Sequence, residues 1–142
     1  MNINQLQFGL MHTGMVDAGI NVNMTNQAGL VRDSGILEYS RIENMTIQAW
    51  SPFQYGFFEG PFVGNTEKFP ELNKRLTELA EQYDSTPSGI AIAFVNRHPA
   101  KMQTIIGTMN LSRIVEVTEG SDIVLTREEW YSLYQAAGNI LP

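Results

Sequence analysis

Three short segments read as strands, 3–8 (INQLQF), 46–51 (TIQAWS) and 103–108 (QTIIGT), and stretches with helical periodicity separate them. That spacing constrains the fold more than any other feature. Strands joined through helices pair in parallel by crossovers, so the chain is an α/β unit. Alternation is imperfect in the first strand, where Ile3, Leu6 and Phe8 are apolar. Pro52 closes the second, because proline has no N–H for the ladder. A sheet of three parallel strands has two bare edges and needs cover on both faces, which makes it an awkward unit to stand by itself.

The intervening segments are legible in turn. Residues 12–33, rich in Gly, Asn and Thr, read as loop with room for a helical turn. A helix follows over 34–43, with Ile36, Leu37, Tyr39 and Ile42 near one stripe. Residues 52–66 hold Gly56, Gly60, Gly64 and Pro61 among four phenylalanines and a tyrosine, a loop too aromatic for plain solvent exposure. Residues 68–83 carry Phe69, Leu72, Leu76, Leu79 and Tyr83 three or four apart, an amphipathic helix. Thr86 suits an N-cap and Pro87 the first position of a helix that buries Ile90, Ala91, Phe94 and Val95 and is bounded by Pro99. Asn110 can cap a helix to about Thr118, with Gly120 as its stop. Thr126 and Glu129 frame a capping box that opens a helix with Trp130, Leu133, Tyr134 and Ala137 inward, ended by Gly138. With no repeat and no linker, residues 1–142 are expected to form a single domain.

Composition narrows the function classes. Nine basic against 15 acidic side chains give a net charge of −6, which argues against general binding of nucleic acid or an anionic membrane. The chain has no cysteine, so disulfides, thiolate zinc sites, iron–sulfur clusters and cysteine nucleophiles are excluded. No stretch reaches the roughly 18 apolar residues of a membrane span. The opening MNINQLQFG has neither the basic nor the apolar region of a leader peptide. The expectation is a cytoplasmic protein.

Few residues carry a chemical signal by themselves. In Gly107-Thr108-Met109-Asn110-Leu111-Ser112-Arg113 a strand ends and a helix begins, so free N–H groups, hydroxyls and a guanidinium could meet a phosphate. The same pattern is also an ordinary capped helix with a surface arginine. Trp50, at a strand's C-terminal end, can stack on a flat heterocycle or simply pack a loop. Gln5 can meet a carboxamide or face solvent. His12 and His98 lack metal-ligand spacing, and Glu128 and Glu129 lie in a helix's first turn, where they complement its dipole. No phosphate loop, dinucleotide fingerprint or nucleophile elbow is present.

Taken in order, these residues resemble the C-terminal part of the aldo-keto reductases, and most of all their bacterial YdhF-like oxidoreductase branch. Asn4-Gln5 resembles the sixth-strand NQ(V/I)E motif, and Ala49-Trp50-Ser51-Pro52-Phe53 resembles the seventh-strand A(Y/W)SPL motif, with Phe53 where leucine is usual. Ile106 to Ile114 is similar to the segment after the eighth strand, and LTREEWYSLYQAAGN to the closing helix.

The resemblance implies a portion of a (β/α)8 TIM barrel, about strands 6–8, and an NADP(H)-dependent oxidoreductase. It implies that Gln5 meets the nicotinamide carboxamide, Trp50 stacks on the ring, and Ser51, Phe53 and the loop behind them approach the pyrophosphate. Thr108, Asn110 and Arg113, following Gly107, inherit the 2′-phosphate, and Glu116 lies near the adenine. A complete barrel takes about 250 residues. The family's catalytic Asp, Tyr, Lys and His belong to strands one to five, so no catalytic residue carries over. The expectations are a truncated reductase with little or no activity by itself, a nicotinamide dinucleotide not necessarily held by this chain alone, and self-association or pairing with a complementary N-terminal fragment. A non-catalytic nucleotide-binding or oligomerising module is the alternative.

Overall fold

The computed structural model describes residues 2–20, 35–56 and 58–141. In chain order the first elements are β1 (Ile3–Gln7), α1 (Gly14–Ile20), α2 (Ile36–Ile42) and β2 (Thr46–Trp50). A short hairpin, β3 (Gln54–Gly56) and β4 (Gly60–Pro61), precedes α3 (Pro70–Gln82) and α4 (Pro87–Asn96). Then come β5 (Met102–Thr104), α5 (Leu111–Glu119) with a 3₁₀ turn at Gly120–Asp122, and α6 (Arg127–Ala136). The three long-range strands form a parallel sheet in the order β1-β2-β5.

Several sequence expectations shift. The third strand stops at Thr104 rather than running to residue 108. Its partner β2 ends at Trp50, Ser51 turns into the left-handed region (φ 53°), and Pro52 has no N–H to offer. The amide of Ile105 makes one last bond, to the carbonyl of Ala49 at 2.9 Å. Part of the 12–33 loop is the helix α1, and residues 21–34 lie outside the described residues. In α2 only Leu37 and Ser40 are buried, while Tyr39 and Ile42 of the expected stripe face solvent, because so short a helix turns one narrow face inward. Gly120 is the C-cap at which α5 ends, as expected, but it is right-handed (φ −66°) and the chain runs on into the 3₁₀ turn. It is glycine because its backbone meets that of Gly89, leaving no room for a Cβ on Gly120. Gly138 does take a left-handed turn (φ 90°) after α6.

The core sits between one face of the sheet and the helices. Seven consecutive residues of α4, Gly89 to Val95, are buried, so this helix is apolar all round and lies inside the unit. Phe94 stacks on Trp130 of α6 with centroids 4.6 Å apart and planes at 7°, and the indole N–H donates to the Phe94 carbonyl at 2.9 Å. Such a stacked pair contributes about 1 kcal/mol beyond the burial of its rings. Ile47 and Ala49 of β2 are fully buried against this layer. The expected caps are all present: Thr86 accepts from the Gly89 amide, and Thr126 and Glu129 exchange bonds as a capping box. Glu129 does more than oppose a dipole, since it is buried and also receives bonds from Tyr83 and Gln82.

Candidate functional site

Strands β2 and β5 run out at the same end of the sheet, and a cleft of about 490 Å³ opens there. Seven of the nine residues singled out in the sequence line it: Trp50, Ser51, Phe53, Gly107, Thr108, Arg113 and Glu116. The local geometry follows from the chain. Trp50 is the last residue of β2 and keeps 39% of its surface exposed. Ser51 holds a left-handed conformation that costs a non-glycine residue about 1 kcal/mol or more, and such strain collects at ligand sites. That turn lets Trp50 and Phe53, three residues apart, line one cavity. On the opposite wall, Gly107 has open space where a Cβ would stand, so a ligand can approach its backbone.

Arg113 lies in the first turn of α5, exposed, and its guanidinium has no ion pair or hydrogen bond among the described residues. Glu116, one turn further on, is half-buried in the same wall. The Thr108 hydroxyl accepts from the Asn110 amide at 3.2 Å and keeps its own proton to donate. An open glycine, a free guanidinium, a hydroxyl and an exposed indole are donors and surfaces that fit a phosphorylated heterocycle.

Two singled-out residues stand apart from the cleft. Asn110 turns its Oδ1 onto its own helix, accepting from the Ser112 amide (3.0 Å), the Arg113 amide (3.4 Å) and the Ser112 hydroxyl (2.7 Å). The N–H groups that would receive an anion are thereby occupied, and Asn110 acts here as a cap. Gln5 lies on the sheet face turned away from the core. Its Nε2 donates to Oε1 of Gln48 (2.8 Å), and Nε2 of Gln48 donates in turn to Oε1 of Gln103 (3.0 Å). These three are register partners, so the sheet carries a glutamine ladder in which, among the described residues, Oε1 of Gln5 is left to accept.

Asn73 supports the site without touching it. It is buried in α3, donates from Nδ2 toward the carbonyls of Phe62, Asn65 and Phe69, and accepts from the Gly64 amide at 2.7 Å. These bonds anchor the loop whose Pro61 and Val63 line the cleft. The only trace in the sequence is a poor helix former next to Leu72, on the apolar face.

The largest electrostatic perturbations lie elsewhere. Burial, and then the carboxylate of Asp17 bonded at 2.6 Å, push the Tyr134 hydroxyl pKa up. Burial, then the charge of Arg41, push the His98 imidazole down to about 4, against a smaller opposing pull from Glu38. Among the described residues no group of three His, Asp or Glu side chains could hold a metal ion, and no helix is long and apolar enough to cross a membrane.

The comparisons with known proteins bear on the family and the fold. The model of the aldo/keto reductase family matches residues 5–137. A 6-dehydroglucose reductase of Agrobacterium fabrum is 29% identical over 140 residues, covering 96% of this chain and 44% of the relative. Another, from Novosphingobium aromaticivorans, is 28% identical over 111 residues, covering 78% of this chain and 36% of the relative. The crystal structure of the thermostable aldo-keto reductase Tm1743, solved with the inhibitor epalrestat, superposes with a TM-score of 0.64 at 17% identity, over 94% of this chain and 39% of that one. The chain thus spans less than half the length of these proteins, and its α/β fold with a parallel sheet matches part of an aldo-keto reductase barrel. On the match over nearly its whole length, the chain belongs to the aldo/keto reductase family.

Proposed function

We propose that this chain carries the cofactor side of an NADP(H)-dependent aldo/keto reductase, on what correspond to strands six to eight of the barrel in the YdhF-like branch. The observation that carries the reading is the convergence of Trp50, Ser51, Thr108 and Arg113, far apart in sequence, on one cleft at the strand ends. In this reading Trp50 stacks on the nicotinamide, and Gln5 offers its free Oε1 to the carboxamide. Ser51 and Phe53 border the pyrophosphate, and Arg113 and Thr108 hold the 2′-phosphate beside the Asn110 cap. Glu116 lies near the adenine.

The bound cofactor supplies a hydride. The carbonyl still needs a group to orient it and a general acid, a contribution of about 10²–10⁴-fold. We assign no residue of this chain to that task, so the chain by itself reduces carbonyl compounds slowly or not at all. For a complete site, an oxidised sugar of the kind the two bacterial relatives are named for is the proposed substrate.

Fluorescence titration with NADPH tests the cofactor site. Saturable quenching is expected, with Arg113→Ala weakening affinity about tenfold or more by removing a charge-assisted phosphate contact. Quenching that does not saturate, or equal affinity in the variant, sinks the reading.

The bare sheet face favours a second role, as a module that associates with its own kind or with a complementary fragment. Ile3 on the β1 edge is 47% exposed, and β1 and β5 each leave one edge of the sheet unpaired. A monomer in sedimentation velocity that also melts cooperatively would remove this alternative.

A further inference from the structure

A second cleft, of about 570 Å³, lies at the other end of the molecule. It forms where α2 and α4 end, just before β2 and β5 begin, and where α6 starts. Arg41, Arg97 and Arg127 line it together, half of the six arginines in a chain of net charge −6. Among the described residues Glu38 is the one carboxylate on the lining, so the fixed charge they give the walls is positive.

Two of the three arginines have a local reason to be there. Arg41 is in the last turn of α2 and Arg97 is the C-cap of α4, where a cation complements the helix dipole. Arg127 has none. It is the first residue of α6, where the dipole disfavours a cation and the adjoining acidic pair is the expected choice. Neither Arg41 nor Arg127 has an ion pair or side-chain hydrogen bond among the described residues. Arg97 donates from Nε to the Leu125 carbonyl at 2.6 Å, which leaves its remaining guanidinium N–H groups available.

The apolar part of the lining is rigid. Trp130 is held by its N–H bond to the Phe94 carbonyl and stacked on the Phe94 ring, and Tyr131 meets it edge-on at 5.2 Å and 87°. Both tryptophan and tyrosine reach the cleft. Uncompensated guanidinium groups beside a fixed aromatic surface select a ligand that carries both a negative group and a flat ring.

We propose that this cleft is a second binding site, separate from the cleft at Trp50, for a small aryl or heterocyclic phosphate. Arg41, Arg97 and Arg127 receive the phosphate, and Trp130 and Tyr131 receive the ring. The site does not depend on the cofactor reading.

The chain has two tryptophans, one at each cleft, so Trp50→Phe leaves Trp130 as the sole reporter. In that background the full chain is titrated with phenyl phosphate, with inorganic phosphate and with phenol. A saturable change in Trp130 emission is expected with phenyl phosphate, at least tenfold weaker binding with inorganic phosphate, and no saturation with phenol. Arg41→Gln and Arg127→Gln are each expected to weaken phenyl phosphate about tenfold, the size of a lost charge-assisted contact, whereas Arg113→Gln leaves it unchanged. Arg41 and Arg127 are exposed, and circular dichroism checks that the variants fold. Should Arg127→Gln not fold, Arg127→Lys keeps the charge, loses the fork and still predicts weaker binding. No saturable response, affinities unchanged in the Arg41 and Arg127 variants, or a loss confined to Arg113→Gln would each overturn the proposal.

Discussion

The two faces of the parallel sheet follow different rules. On one, Ile47 and Ala49 are fully buried beneath α4 and its neighbours, and the packing is dry and aromatic. On the other, Gln5, Gln48 and Gln103 bond to one another in a row and Trp50 stands partly exposed. Neighbouring residues of one strand therefore have opposite duties: Ala49 packs, while Gln48 and Trp50 present groups. The covered face carries the apolar packing, and the bare face and its upper end carry polar side chains and the residues of the proposed cofactor site. The (β/α)8 architecture divides its labour in the same way, with helices on one side of each strand and side chains filling the barrel on the other.

The contrast makes predictions of decreasing size. Ala49→Gln puts a larger polar side chain into the dry face, adding overpacking to an unpaired amide. The expected loss is about 3 kcal/mol or more, read by urea denaturation. A loss under about 1 kcal/mol would mean that the covered face is loosely packed.

The second prediction concerns His98, which lies against Phe8 on the covered side with ring centroids 6.4 Å apart. Its Nδ1 accepts from the Ala100 amide at 3.1 Å, a bond available to the neutral ring. With its pKa depressed to about 4, the folded state holds the ring neutral where the unfolded chain takes up a proton. Its contribution is full above about pH 6.5, the unfolded value, and is lost as pH falls from there to about 4. Because solvent still reaches this half-buried ring, the loss is discounted to about 1–2 kcal/mol. Comparing unfolding at pH 7 and pH 4.5, His98→Gln is expected to show a shallower acid decline than the parent chain. An equal decline would place the acid sensitivity elsewhere.

The smallest effect belongs to the bare face. Gln48→Ala removes both rungs of the glutamine ladder yet should change stability by only about 0.5 kcal/mol, since the side chains regain water. A large loss would show that the ladder holds the strands together and that the two faces share the structural work.

Much of the fold was legible because its signals are local. Thr86, Asn110 and the Thr126–Glu129 box cap the helices expected of them, and the apolar spacing from Leu72 to Leu79 marks the buried face of α3. The landmarks of the candidate site were legible as residue types, and seven of them do line one cleft. What was not legible depends on partners distant in sequence. The third strand is short because β2 turns away at Ser51, which nothing within QTIIGT reveals. Gly120 reads as a helix stop and does end α5, but the close approach to Gly89, thirty-one residues earlier, is invisible in the sequence. Asn110 spends its side chain on its own helix, and Asn73 joins a loop to α3 through bonds that no periodicity announces.

By itself the sequence determined the α/β class, the order of the three long-range strands and the capped starts of α4, α5 and α6, because caps, prolines and apolar periodicity act over a few neighbouring residues. The tertiary structure alone decided which sheet face is bare, how Trp50 comes to share a cleft with Arg113, and how Arg41, Arg97 and Arg127 line another. Those outcomes rest on packing and charge between segments tens of residues apart, interactions that exist only once the chain has closed on itself.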